Sequence, residues 1–437
     1  MVILKNVTLY DFKKYLENAF IAFDKKILKV GTMKEYKDYI QDQNKKDYKE
    51  IDGKGGIVLP GLVLGHTHIY STFARGWLTP YNPKSFQDIL NQLWWKLDRG
   101  LGEEEIYYSG ITSGENFLKN GITTVIDHHA SGEMISGSLS ILKKAVVDKI
   151  GLRGIFCFET SDRFNIDECI DENISFYEKM EKEKNKDARG LIGLHASFSL
   201  GDDSLKKLSK ITKEIPIHVH VGESIEDINW TKNHSGLSIL ERFQKYDLLR
   251  EDSIYVHGIY LEKKDFKLIK QTKGLMAFNP SSNMNNGVGL PQVKRTIDLD
   301  IPFIVGNDGL GFSLARDYQT LVYSSNINAP NSFNIEYLRK SILYSYKFVS
   351  RRLGCLLGSL SEGFESDLML VPYHSITPMT KENAFGHFVY GILEQLHPKE
   401  VWVKGVHRIS NYKLLQDISK ELKDAKKCAA ALWKKIK

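Results

Sequence analysis

Cysteine is scarce in this chain of 437 residues: four occur, Cys157, Cys169, Cys355 and Cys428. No two are spaced as CxxC, which argues against a zinc ribbon and against a disulfide framework. A reducing cytoplasm suits such a thiol content. Long apolar runs are also missing. None reaches about 18 residues, so no transmembrane helix is predicted. The opening segment Met1–Val7 is too short and too alternating for a signal peptide. Charge of one sign is not in excess: 60 basic residues face 54 acidic ones, leaving +6. The lysines are interleaved with acids, as from Glu181 to Lys184, which reads as a solvated helix face and argues against a nucleic-acid partner. No glycine-rich phosphate loop follows the first apolar run, which removes the main support for an open doubly wound sheet.

What remains is two kinds of segment. Short alternating pieces lie at both ends: Val2 to Tyr10, Ala19 to Val30, Gly56 to Leu59, Asp367 to Pro372 and Glu400 to Ile409. Their period of two predicts strands that pair into one small β-structure. Apolar residues from Leu414 to Leu432 recur at helical spacing and predict a closing helix over Tyr412 to Lys437. Between the ends, eight apolar runs alternate with amphipathic stretches: Ile57–Leu64, Ile122–Ile126, Leu152–Phe158, Leu191–Leu194, Ile215–Val221, Ser253–Val256, Leu275–Phe278 and Ile301–Val305. Continuous apolar runs suit parallel strands buried on both faces. Eight of them over roughly 250 residues predict an α/β fold, a (β/α)8 TIM barrel. The expected division is 1–57 and 358–437 for a small β-sandwich built from both chain ends, with the closing helix, and 58–357 for the barrel.

Catalytic side chains of such barrels sit where strands end, and here the strand ends are rich in histidine. The chain has 13 histidines, and eight fall at these places: His66, His68, His128, His129, His195, His218, His220 and His257. Residues two apart on a strand share a face, so His66 and His68 point into one space. His66, His68, His220 and Asp308 then offer three imidazoles and a carboxylate to one divalent ion. Zn²⁺ is the first choice and Fe²⁺ suits the same set. The ion would lower the pKa of a bound water towards about 7 and create a hydroxide nucleophile. Glu223, three residues beyond His220, is the candidate proton shuttle. His257 is placed to orient the hydroxide, and Asp308 to accept a proton as it attacks. His218 lies deeper and reads as a supporting residue. His128 and His129 point to opposite sides, so at most one enters the pocket. Asp127 reads as a loop cap. His195, His129 and Trp95 are the candidate substrate contacts, and Phe73, Trp77 and Trp94 are further aromatics that could stack on a planar ring.

The segments Pro60–His68, His220–Glu223, Val256–Gly258, Asn279–Met284 and Gly306–Gly309 resemble those of the amidohydrolase superfamily, and with the shared terminal β-structure the likeness spans the chain. The HxxE at His220 and Glu223 is similar to the mononuclear branch of deaminases and triazine hydrolases, in which no fourth-strand lysine bridges two ions. Further segments, Leu93–Arg99, Val125–Ser131, Cys157–Arg163 and Ser282–Asn286, resemble the aminohydrolases called SsnA. The resemblance implies hydrolytic deamination of a nitrogen heterocycle such as a purine- or pyrimidine-like base or nucleoside, and a homodimer. Ring opening of a cyclic amide, chlorohydrolase-type displacement and a non-catalytic metal scaffold are the alternatives. The cytidine-deaminase type of zinc site is excluded by its missing PCxxC pair. Two departures touch the substrate side. Tyr260 stands where many of these deaminases have a second histidine, and His195 is followed by Ala196-Ser197 where many read His-Ala/Ser-Pro.

Overall fold

A computed structural model describes residues 1–42, 47–212, 214–327 and 329–437. Its strands run in chain order as follows. β1 is Val2–Tyr10, β2 Tyr15–Phe23, β3 Ile27–Thr32, β4 Lys49–Asp52 and β5 Ile57–Pro60. β6 is Leu62–Thr67, β7 Ile122–His129, β8 Arg153–Phe158, β9 Ala188–Gly190 and β10 Ile192–Leu194. β11 is Ile217–Val221, β12 Ile254–His257, β13 Leu275–Phe278 and β14 Phe303–Val305. β15 is Leu368–Val371, β16 Glu400–Val403, β17 Val406–Ser410 and β18 Lys413–Leu414. The chain groups into two units: residues 1–63, 115–124 and 338–417, and residues 64–114, 125–337 and 418–437.

The first unit is a sheet made from both chain ends, ordered β18-β17-β16-β15-β5-β1-β2-β3, with β4 beside β1. Two expected strands are hairpins. Ala19 to Val30 turns at Asp24–Lys26 between β2 and β3, and Glu400 to Ile409 turns at Lys404-Gly405, both at positive φ as a tight hairpin requires. The sheet curls over its apolar face. From β2 to β16 is four strand spacings, about 19 Å in a flat sheet, yet the Phe23 and Trp402 rings are 5.4 Å apart. Leu4, Ile21, Ile27, Val58, Leu368, Leu370 and Trp402 share that enclosed core, which gives the sandwich-like layering. Trp402 is fully buried, and its indole nitrogen has no partner to lose. A Trp402→Ala variant is expected to lose about 3–5 kcal/mol of stability, read as a lowered denaturant midpoint. A loss below about 1 kcal/mol would mean that the curled sheet does not depend on this ring.

The second unit holds the parallel strands. The hydrogen-bonded orders are β6-β7-β8-β9 and β10-β11-β12-β13-β14. Bridges join them at both seams. Thr160 pairs in parallel with Leu194, and Thr67 with Asp308. At the second seam the Asn307 N–H donates to the His66 carbonyl at 3.0 Å and the His68 N–H to the Asp308 carbonyl at 3.2 Å. β9 and β10 together form the fourth stave, so eight staves close into a barrel. Gly306 makes the closure possible: a Cβ there would lie 2.5 Å from the His66 carbonyl oxygen. Strand β7 is buried along its whole length, as parallel barrel strands are.

Two expectations change in detail. The apolar run Ile57–Leu64 is two strands, not one. β5 pairs with β1 and β15, and β6 enters the barrel sheet. The break is Gly61, where a Cβ would fall 2.2 Å from the Thr123 side chain. The closing helix is Ser419–Lys435 rather than Tyr412–Lys437. Asn411 and Tyr412, both at positive φ, make a hairpin turn that returns Lys413–Leu414 onto β17. Cys428 and Leu432 of the helix pack with Phe73, Trp77, Leu97 and Leu101, so Phe73 and Trp77 serve packing. Among the described residues no helix is long and apolar enough to cross a membrane.

Candidate active site

The strand-end histidines meet at one end of the barrel. His66 and His68 leave β6, His220 leaves β11, His257 ends β12, and Asp308 follows β14. Ligand atoms of His66, His220, His257 and Asp308 lie within 4.8 Å of one another, and so do those of His68, His128 and His220. Two of these residues adopt backbone conformations that L-residues avoid, His257 at φ 71° and Asp308 at φ 54°. Such strain gathers at functional sites because the surrounding structure must hold it.

Each imidazole is fixed by its outer nitrogen. His68 Nδ1–H donates to the His128 carbonyl at 2.7 Å, and His220 Nδ1–H to the His195 carbonyl at 3.0 Å. In the neutral ring this leaves the Nε2 lone pair facing inward. His66 Nδ1 pairs with His218 Nε2 at 2.9 Å, so His218 supports the site from below, as expected. The Nε2 atoms of His66, His220 and His257 are buried without a partner. Asp308 Oδ1 lies 3.1 Å from His68 Nε2 and 3.6 Å from His66 Nε2, and the Ser282 hydroxyl donates to its Oδ2 at 2.6 Å. Orphaned imidazole nitrogens converging on an anchored carboxylate are the donor set a divalent cation takes, and the carbonyls behind them set the tautomer.

Electrostatics follow from burial. Desolvation drives His220 well below the usual histidine range and His66 down to about 3, so both are neutral. Burial would raise Asp308, but the neighbouring imidazoles of His66 and His68 hold its carboxyl well below the carboxylate range. Burial opposes charge on His68 too, yet Asp308 wins and lifts it to about 9. The proton shared by His68 and Asp308 stands where a cation would replace it. Glu223 behaves oppositely to Asp308. Burial first, then the charges of Asp308 and Asp227, raise it well above the carboxylate range. Its carboxyl lies 3.4 Å from His257 Nε2. Asp227, which the sequence did not single out, accepts from the Gly222 and Phe198 amides at 2.9 and 3.2 Å and so fixes the turn that carries Glu223.

A cleft opens over His68, His220, Glu223 and Asp308. His195 and Trp95 line it. His129 does not: it is buried, bonds Ser131 Oγ at 3.1 Å and packs by Tyr70 and Phe158. Its neighbour His128 is turned under the site, its Nδ1 3.4 Å from Glu159. Asp127 accepts the Ile69 amide at 2.7 Å, a loop cap as read. Phe86, Leu90, Trp94 and Asp98 also line the cleft. They recur every four residues on the helical stretch 86–99, whose start is capped reciprocally by Ser85 and Asp88. That period was the available signal for them. Glu159 reaches the same cleft from the end of β8.

A model of the Amidohydrolase family matches residues 57–406. The chain is 25% identical over 399 residues to a 5-methylthioadenosine/S-adenosylhomocysteine deaminase of Carboxydothermus hydrogenoformans, covering 89% of this chain and 88% of the relative. Its fold is similar to that of an adenosine deaminase from Xanthomonas campestris with bound zinc, at TM-score 0.80, 16% identity and coverage of 99% and 98%. It is also similar to the atrazine chlorohydrolase TrzN from Arthrobacter aurescens complexed with zinc, at TM-score 0.79, 18% identity and coverage of 99% and 100%.

Proposed function

The chain belongs to the amidohydrolase family, and from that premise we propose that it is a metal-dependent hydrolase of carbon–nitrogen bonds that deaminates a nitrogen heterocycle. One observation carries the reading: unpartnered imidazole nitrogens and an ionised Asp308 converge beside a Glu223 carboxyl of high proton affinity, all at one aromatic-walled cleft. His66, His68, His220 and Asp308 would hold one divalent ion, zinc by preference and iron as the alternative. When bound, that ion supplies Lewis acidity and lowers the pKa of water towards about 7.

The chain's own residues do the rest. Trp94 and Trp95 take the planar ring. Glu223 removes a proton from the attacking water and delivers it to the ring nitrogen next to the reacting carbon. With the Asn283 amide donating to His257 Nδ1 at 2.8 Å, the ring proton sits on Nε2. His257 then serves as a donor that orients water and oxyanion rather than as a ligand. Asp308 accepts the second proton and returns it to the departing amine. One water is consumed and one ammonia released, and the amidine carbon becomes a carbonyl.

The 25% identical relative is named for deamination of adenosine derivatives, which favours a purine. The finer likeness to SsnA, a homodimer and a cytoplasmic location belong to the same proposal. Incubation of the zinc-loaded protein with a panel of purines, pyrimidines, aminotriazines and chlorotriazines, followed by ammonia assay and product mass, tests it. At least one member is expected to turn over, with a product mass that gains water and loses ammonia. A product that only gains water would establish ring opening, and one that loses chloride the displacement chemistry. Silence across the panel with metal bound would end the deaminase reading.

A further inference from the structure

One short helix stands behind three of the groups the mechanism uses. It follows β13, runs over Pro280–Asn285, and is capped at its end by Asn286. Ser282 donates to Asp308 Oδ2 at 2.6 Å, and the Asn283 amide to His257 Nδ1 at 2.8 Å. Asn286 serves the third group. It lines the cleft beside Glu223, and its side chain is hydrogen-bonded to the Glu223 carboxyl. Its neighbours settle which end of the amide faces that way. The Asn285 amide donates to Asn286 Oδ1 at 3.3 Å, and Asn286 Nδ2 donates to Ser282 Oγ at 3.4 Å. The Ser282 proton is committed to Asp308, so its oxygen can only accept. Turned over, the amide would set Oδ1 against that oxygen and its NH₂ against the NH₂ of Asn285. The Asn286 NH₂ therefore gives one hydrogen to Ser282 and has the other for Glu223. Asp308, Ser282, Asn286 and Glu223 are joined in one line of hydrogen bonds.

We propose that Asn286 is a positioning residue for proton transfer. Its amide holds the Glu223 carboxyl in place at the cleft and, through Ser282, in register with Asp308. One helix thereby sets side chains that follow β11, β12 and β14. This rests on the reading of Glu223 as the general base. Asp227 fixes the turn below Glu223 through the Gly222 backbone amide, which leaves the carboxyl at the end of a flexible side chain. A shuttle must stay within hydrogen-bond reach of the water and then of the ring nitrogen. A displacement of about 1 Å from such a geometry costs on the order of 10² in rate.

The test is steady-state ammonia release from adenosine, or from the fastest member of the panel above, by zinc-loaded Asn286→Asp and Asn286→Ala. Aspartate keeps the size of the side chain and has no N–H to give. Both variants are expected to lose about 10- to 100-fold in kcat, with KM within about threefold of native and the native zinc content retained. Placed on Glu223→Gln, Asn286→Asp is expected to lower kcat by less than about threefold further, because its effect runs through the group already removed. A native-like kcat in either variant overturns the proposal, and the alanine variant decides where the aspartate one does not fold. A raised KM at unchanged kcat overturns it as well, by making Asn286 a substrate contact. Losses that multiply in the double variant overturn it by making the effect a structural one. If the unmodified protein turns over no member of the panel, the deaminase reading ends and this proposal ends with it. An active protein indifferent to Asn286 ends the proposal alone.

Discussion

Replacing Glu223 by glutamine is expected to lower kcat for ammonia release by a factor on the order of 10² to 10⁴, the range lost with a general acid–base. That corresponds to about 3–5 kcal/mol of barrier. The amide keeps the side chain's length and its contact near His257 Nε2, at 3.4 Å in the native protein, but no longer carries a proton to and fro. Metal content is expected to stay unchanged, because Glu223 is outside the proposed ligand set. Its surroundings explain why it suits the task. Burial and the nearby Asp308 and Asp227 raise its proton affinity, which makes the carboxylate a stronger base towards water before it passes that proton to a ring nitrogen. A variant within about threefold of the native kcat, metal bound, would remove Glu223 from the chemistry and revive the non-catalytic scaffold.

The other large effect concerns the metal itself. Chelation is expected to abolish turnover, and about one equivalent of Zn²⁺ per chain to restore it. His220→Ala is expected to leave turnover at background even in excess zinc, because His220 belongs to each of the three groupings of possible ligand atoms among the described residues. Binding is expected to release about one proton near pH 7, since the proton between His68 and Asp308 must leave while His66 and His220 are already neutral. The folded chain gains stability in step: at a free-metal level 100-fold above Kd the gain is about 2.7 kcal/mol. Zinc analysis, calorimetry in two buffers of different ionisation enthalpy, and thermal unfolding with and without chelator read these outcomes. Two ions per chain, or full turnover after chelation, would overturn the mononuclear assignment.

The barrel was legible because a strand repeats every two residues and a buried parallel strand is apolar throughout. His66 and His68 are on one face for that reason alone. What the pattern did not carry was any boundary inside an apolar run. Ile57 to Leu64 contains no polar residue to mark where β5 ends and β6 begins, and the break shows only in how closely Gly61 approaches Thr123. Adjacent His128 and His129 posed a different problem. Alternation puts them on opposite faces, but which face meets the cleft depends on the twist of the closed sheet, and here His129 is turned away from it. The grouping of Asp98 with Glu159 and Arg163 was beyond reach for a third reason. Their association is tertiary, made across distant segments by one guanidinium, and no local period announces it. Phe86, Leu90, Trp94 and Asp98 were within reach, had the four-residue spacing been followed through the tryptophan pair.

The sheet built from both chain ends also sets an order of events during synthesis. Leu59 of β5 pairs with Met369 of β15. At roughly 5–20 residues per second, a ribosome needs on the order of 15 seconds or more to emit the chain between them. Through that interval the nascent β5 carries β1 on one side and an open ladder of amides and carbonyls on the other, the kind of edge that recruits foreign strands. The finished sheet moves the edge beside β5 out to the short β18. The half-made polypeptide, rather than the folded enzyme, is therefore where this architecture is exposed to misassembly.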